Sequence, residues 1–281
     1  MSQPERYRVD PRDPRAPPLS VWEELSPAER RRIVAELPDE LDLAPPEGDA
    51  HRIPKQRALE ALEAFFRRAG RRVYLSSELL VYYPGEQAFA PDLIAVLDVD
   101  TRPRMRWVVA EESRGLDLAL EVTLEGNRKK DLEDNVARFA RLGIPEYFVF
   151  DRRQRRLYGW RLPAGASSYE AMVPQQGRWH SSVLGLDLGV EGDRFRFFAG
   201  TALVPEAEEL LTRANALVDE LQDKLAAAER HAEEQERRAQ EQERRAQEQA
   251  RRAQEQARRA DTAEQRVQQL EAELERLRRE R

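Results

Sequence analysis

The residues of this 281-residue chain that could act on a phosphate or a metal ion lie in two stretches. Pro91-Asp92 opens the apolar run LIAVLDV (93–99). Glu121 follows 29 residues after Asp92, between Leu120 and Val122 in a second apolar run, DLALEVTL (117–124). Lys129, Lys130 and Asp131 come directly afterwards, on a stretch of helical character. Two carboxylates at neighbouring strand ends can share a hard cation such as Mg²⁺ or Mn²⁺ through oxygen ligands. Such a cation activates water and offsets charge on a phosphate, and a nearby lysine can hold the scissile phosphate or orient the water. Each piece also has an ordinary reading. Pro-Asp before a strand is commonly a turn in which Asp caps backbone groups. A Glu in an apolar strand is tolerated at an edge or end. Lysines at a helix start are commonly solvated.

These side chains need a sheet and helices to bring them together. Residues 54–69 (PKQRALEALEAFFRRA) predict an amphipathic helix, with Leu59, Leu62, Phe65 and Phe66 on one stripe and Gly70 as its stop. VYLSSELLVYY (73–83) is rich in β formers and bounded by Pro84-Gly85. The runs 93–99 and 117–124 read as buried strands. Residues 128–142 predict a helix with Leu132, Val136, Phe139 and Ala140 on its inner face, ended by Gly143. EYFVFD (146–151) and RRLYGWRL (155–162) predict two further strands, and short strands and turns continue to residue 204. Strand, helix, strand over 117–151 is a βαβ unit, so its two strands should be parallel. Residues 1–50, rich in Pro and charge, predict an arm packed loosely on the body. Only 19–37 looks ordered, with Ser26-Pro27 starting a short helix and Pro45-Pro46 ending the arm.

From residue 205 onward a heptad register runs unbroken for about ten repeats. Its a positions include Leu211, Val218, Leu225, Val267 and Leu274; its d positions include Leu221, Leu270 and Leu277, with Ala and Gln in the middle. At about 1.5 Å per residue this is a helix of roughly 110 Å. It is either one strand of a coiled-coil homodimer through residues 211–281 or a long charged single helix. Glu234–Arg238, Glu241–Arg245, Glu248–Arg252 and Glu255–Arg259 are spaced to support it at i,i+4.

Composition narrows the classes of function. Charged residues are 36% of the chain, but acidic ones outnumber basic ones, 53 to 47, which argues against avid nonspecific nucleic-acid binding while leaving room for a local basic groove. With no cysteine, disulfides and thiolate zinc sites are excluded. His51, His180 and His231 are too scattered to suggest a histidine metal site. No run is long and apolar enough to span a membrane, and the start lacks the apolar core of a signal peptide, so a cytoplasmic location is the expectation. Neither a Gly-rich phosphate loop nor a G-x-S-x-G elbow occurs. Trp22, Trp107, Trp160 and Trp179 read as packing residues rather than stacking platforms.

The stretch PDLIAV … DLALEVTLEGNRKKDLEDNVARFARLGIPEYFVFDRRQRRLYGWRL resembles the restriction-endonuclease-like family called Uma-two, a branch of the PD-(D/E)XK nuclease superfamily. The resemblance covers roughly residues 50–200. It implies an α/β fold: a mixed sheet flanked by helices, here followed by the long C-terminal helix or coiled coil. The implied organisation is an arm (1–50), an endonuclease-like domain (51–204) and a heptad-repeat tail (205–281). By position, Asp92 matches the family's PD aspartate and Glu121 the acid of its E-x-K element. Val122 would offer a backbone carbonyl to the metal, and Glu78 could be an auxiliary acid. The lysine departs from the pattern: Thr123 occupies its strand position and Asn135 its alternative helix position. Lys129 or Lys130 could reach back from the helix start. The resemblance thus implies a Mg²⁺- or Mn²⁺-dependent endonuclease acting on DNA. An inactive nuclease fold used for binding or scaffolding, and a purely structural oligomer built on the tail, stay open.

Overall fold

A computed structural model describes residues 7–41, 48–123 and 128–279. Pro45-Pro46 and the last residue of the 117–124 run lie outside them. The chain divides into two units, Met1–Leu210 and Leu211–Arg281.

The first unit begins with α1 (Leu19–Glu24) and α2 (Pro27–Glu36). Ser26 caps α2 through a reciprocal capping box with Glu29, and Pro27 takes the first helical position. This segment is not loosely packed. Ala16 and Leu37 are buried in a small core with Leu80, Tyr82 and Val108, and Ile33 is fully buried. Helix α3 (Asp49–Ala69) ends on Gly70 in the left-handed conformation, whose N–H returns to the last turn.

Strand β1 is Val73–Ser76, β2 Val81–Tyr82 and β3 Leu93–Leu97; β4 (Trp107–Val108) leads into α4 (Val109–Glu112). Strand β5 (Leu118–Thr123) is followed by a π-helical turn (Lys130–Asp134) and α5 (Asn135–Arg141). Then come β6 (Glu146–Asp151), β7 (Arg156–Arg161), β8 (Glu170–Ala171), β9 (Arg178–Ser181), β10 (Leu186–Glu191), β11 (Arg194–Ala199) and β12 (Ala202–Leu203). The central sheet has the order β1-β3-β5-β6-β7-β8. Only β5 and β6 run parallel within it, with Leu118 opposite Glu146 and Thr123 opposite Asp151, as the βαβ reading requires. Strands β9 to β12 form an antiparallel sheet, and β2 pairs with β4.

Alternation of side chains on β5 explains the two cores. Leu118, Leu120 and Val122 face α3, packing with Ala58, Leu62 and Phe66. Ala119 faces the other way, into a core with Phe139, Tyr147 and Trp107. The single strand expected over 73–83 is broken. Glu78 has φ +55°, and the chain leaves the central sheet there to pair elsewhere.

In the second unit, the helix that begins at Ala207 runs through to Arg279. The four expected pairs form: Arg238–Glu234 at 2.6 Å, Arg245–Glu241 at 2.7 Å, and Arg252–Glu248 and Arg259–Glu255 at 2.8 Å each. The heptad residues Leu211, Val218, Leu221, Leu225, Val267 and Leu270 are exposed. Among the described residues no helix is long and apolar enough to cross a membrane.

Candidate active site

Antiparallel pairing of β3 with β5 puts the start of one strand beside the end of the other, at one pole of the sheet. Asp92 and Glu121 meet there and interlock. The Asp92 N–H donates to Glu121 Oε2 at 3.0 Å, and the Val122 N–H donates to Asp92 Oδ2 at 2.6 Å. Both acids are buried. An extended residue sends its N–H and C=O to the same side, so the Val122 carbonyl faces the Asp92 edge.

Each flank of this pair is set by a helix. On one side the first turns of α3 bring His51 Nε2 to 3.3 Å from Asp92 Oδ2, and Lys55 Nζ to 3.4 Å from Asp92 Oδ1. Lys55 also pairs closely with Glu78. The helix had been expected to start at Pro54. It starts at Asp49, and Pro54 sits inside it. Proline has no N–H for the Ala50 carbonyl; the Arg152 guanidinium donates to that carbonyl instead. The extra N-terminal turn is what carries His51 to the site. Burial against Asp92 gives His51 a partner far away in sequence.

On the other side the expected helix over 128–142 is interrupted by the π-helical turn, closed by the Asn135 N–H on the Lys130 carbonyl. Such bulges re-aim side chains and recur at functional sites. This one turns Asp131 and Asn135 inward. The Asn135 amide donates to Glu121 Oε1 at 3.4 Å and to Asp131 Oδ1 at 3.3 Å. Tyr147 donates to the Asp131 carbonyl at 2.9 Å, and fully buried Thr123 hydrogen-bonds the Asp131 carboxyl.

The two acids are consequently unlike. Burial pushes the Asp92 carboxyl up, but the hydrogen bond and charge of His51, the Lys55 charge and the Val122 N–H outweigh it and hold it below its ordinary value. Burial pushes the Glu121 carboxyl well above its ordinary value, and the charges of Asp92 and Asp131 add to the effect. Burial also raises Asp131, against the Thr123 hydrogen bond and the Lys130 charge.

The structure brings together Asp92, Glu121 and Val122 from the sequence reading. Lys130 stands at the rim, its side chain 60% exposed and its Nζ 3.9 Å from Asp131 Oδ1. Lys129 is exposed and pairs with neither acid of the β3–β5 junction. Glu78 lies next to the site, but as the partner of Lys55. Sequence reasoning named Asp131 without giving it a role and missed His51 and Lys55. A signal for two of them existed: His51 and Lys55 continue the buried stripe of Ala58, Leu62 and Phe66. A lysine on an apolar stripe requires a partner.

Asp92 and Glu121 bring carboxylate oxygens to one strand junction, the donor type a hard divalent cation takes, with the His51 ring nitrogen beside Asp92. Among the described residues no cluster of three or more His, Cys, Asp or Glu side chains is arranged as a complete metal cage. The residues that would hold such a cation are Asp92 and Glu121, with the Val122 carbonyl.

None of the curated proteins compared with the chain matches it. Among solved structures, it is similar to "a putative nuclease belonging to DUF820" from Anabaena variabilis, with 12% identity, TM-score 0.36, and coverage of 46% of this chain and 69% of that one. The family model "Uma2: Putative restriction endonuclease" matches residues 22–195. Its match reaches back to α1 and contains both acids, both site helices and the whole central sheet. Spanning more than half of the sequence, it shows that this chain belongs to the Uma2 family.

Proposed function

We propose that the protein is a Mg²⁺- or Mn²⁺-dependent endonuclease that hydrolyses phosphodiester bonds of DNA. The observation that carries this reading is the reciprocal locking of Asp92 and Glu121 through each other's strand backbone. A divalent cation held by Asp92, Glu121 and the Val122 carbonyl would supply activated water and charge neutralisation on the phosphate. The chain's own residues divide the remaining work. Asp92, kept ionised by its neighbours, is the fixed anchor. Glu121, whose carboxyl is pushed well above its ordinary value by burial and by the charges of Asp92 and Asp131, would be the second carboxylate of the pair. Asn135 orients the Glu121 carboxyl from the far side. Lys129 and Lys130 stand exposed at the rim, where an incoming phosphodiester passes. Hydrolysis joins a water oxygen to phosphorus, breaks one P–O bond, and leaves a phosphate monoester and a hydroxyl.

The test is cleavage of plasmid and duplex oligonucleotides with Mg²⁺ or Mn²⁺ by wild type, Asp92→Ala and Glu121→Ala. Cleavage by wild type alone is expected. Equal cleavage by all three would reject the reading. One observation favours a second reading, a nuclease fold kept for binding: the two lysine positions of the resemblance hold Thr123 and Asn135, which bring no charge. Cleavage absent from all three proteins, with metal binding absent as well, would support it.

For the tail we infer a homodimer through residues 211–281, supported by the exposed Leu and Val at its a and d positions. The cysteine-free chain suits a reducing cytoplasm.

A further inference from the structure

We propose that Lys55 is the phosphate-binding cation of this site, delivered from α3 instead of the E-x-K strand, and that Glu78 is the counter-ion a phosphodiester oxygen replaces. The inference rests on the nuclease reading for the identity of the anion. The two positions where the resemblance places a lysine hold Thr123 and Asn135, both buried, which hydrogen-bond Asp131 and Glu121 without bringing charge. Lys55 is 3% exposed, and an ammonium so deep must be held by anions.

Among the described residues Asp92 and Glu78 are anions at Lys55, and they differ in how firmly they are fixed. Asp92 is buried and clamped by His51 and the Val122 N–H. Glu78 has a side chain 60% exposed, at the break between β1 and β2. The Glu78 backbone is nevertheless pinned to the site. Its N–H donates to the Pro91 carbonyl at 3.1 Å, and the Ser77 hydroxyl donates to the Asp92 carbonyl at 2.7 Å. Glu78 therefore plugs the solvent side of Lys55 and can swing out on its own side chain. A phosphate oxygen entering there exchanges one anion for another on the same ammonium. The buried charge is never left unpaired.

The experiment uses the full chain, a fluorescent DNA duplex and Ca²⁺ in place of Mg²⁺, with anisotropy for DNA affinity and the Ca²⁺-induced shift in melting temperature for the metal site. Lys55→Met should weaken duplex binding by roughly tenfold or more, the worth of a charge-assisted contact, while the Ca²⁺ shift persists. Glu78→Asn, which suits the left-handed backbone, should tighten it. Asn135→Lys added to Lys55→Met should recover much of the loss by restoring charge from the other flank. Wild-type affinity in Lys55→Met, or weaker binding by Glu78→Asn, would overturn the assignment. If Lys55→Met does not fold, Glu78→Asn decides against the charge-matched control Glu133→Gln, an exposed acid of the other flank: a counter-ion role predicts a gain in affinity beyond the control's, and equal gains overturn it. Mg²⁺-dependent cleavage by wild type alongside an unmoved Lys55→Met affinity rejects the lysine and keeps the nuclease. The predicted affinity changes without any cleavage reject the nuclease and keep the phosphate contact. A wild type that binds no duplex rejects both.

Discussion

The α3 flank and the π-turn–α5 flank act on two acids locked in one backbone junction, and they act in opposite directions. His51 and Lys55 on the first hold Asp92 below its ordinary proton affinity. On the second, burial and the neighbouring acids push Glu121 well above its own. Asn135 contributes a hydrogen bond there but no charge. The lesson concerns where a site's positive charge comes from. The acids belong to the strands and to the recognisable motif, whereas the buried cationic partners belong to a helix that the motif does not include. An ammonium sits beside the motif aspartate here although the motif's lysine positions hold Thr123 and Asn135.

The largest expected effect comes from removing the better-held side. Asp92→Ala should lower Mg²⁺-dependent cleavage by roughly a thousandfold or more, because it deletes the fixed ligand and leaves Lys55 without its clamped anion. Initial rates on a supercoiled plasmid read this directly. Asn135→Lys should erase the difference between the flanks instead. A cation against Glu121 brings its carboxyl back toward the ordinary range, and cleavage near pH 6 should rise by roughly tenfold as the acid ionises more readily.

Stability against pH sharpens the same contrast. Glu121 binds its proton more tightly folded than unfolded, so folding loses stability as pH rises out of the ordinary carboxyl range and through the raised value. Asp92 works the other way: its contribution is present above the ordinary range and fades as pH falls through the lowered value. Glu121→Gln should therefore gain stability on the order of 1 kcal/mol relative to wild type at pH 8, and little at pH 5. Chemical denaturation at the two pH values checks this. The smallest effect lies far from the site. Glu248→Gln on the tail should cost only about 0.3–0.5 kcal/mol, as an exposed i,i+4 pair does, read as a slight loss of helicity in a tail peptide.

Much of the fold was legible because its signals are local. The helix start at Ser26-Pro27, the Gly70 stop, EYFVFD as a strand and the parallel β5–β6 pair all follow from neighbouring residues. The heptads gave the long helix, and its ion pairs formed as spaced. What stayed hidden depended on distant partners. The first turn of α3 relies on Arg152 accepting the duty that Pro54 cannot perform. The π-helical turn follows from packing rather than propensity, and no residue type announces it. The break at Glu78 looked like continuous β sequence, since one left-handed residue in a β-rich run leaves no compositional trace. Asp92 and Glu121 were visible through spacing. Lys55 was visible only as an anomaly in an apolar stripe, and its meaning required Asp92 to be placed beside it.

The central claim is that Asp92 and Glu121 form one divalent-cation site, and calorimetric titration of the full chain with Mn²⁺ tests it most directly. The account predicts saturable binding to wild type, lost in Asp92→Asn and in Glu121→Gln while both variants keep a cooperative melt. Binding that is absent from folded wild type, or that persists unchanged in both variants, would contradict it.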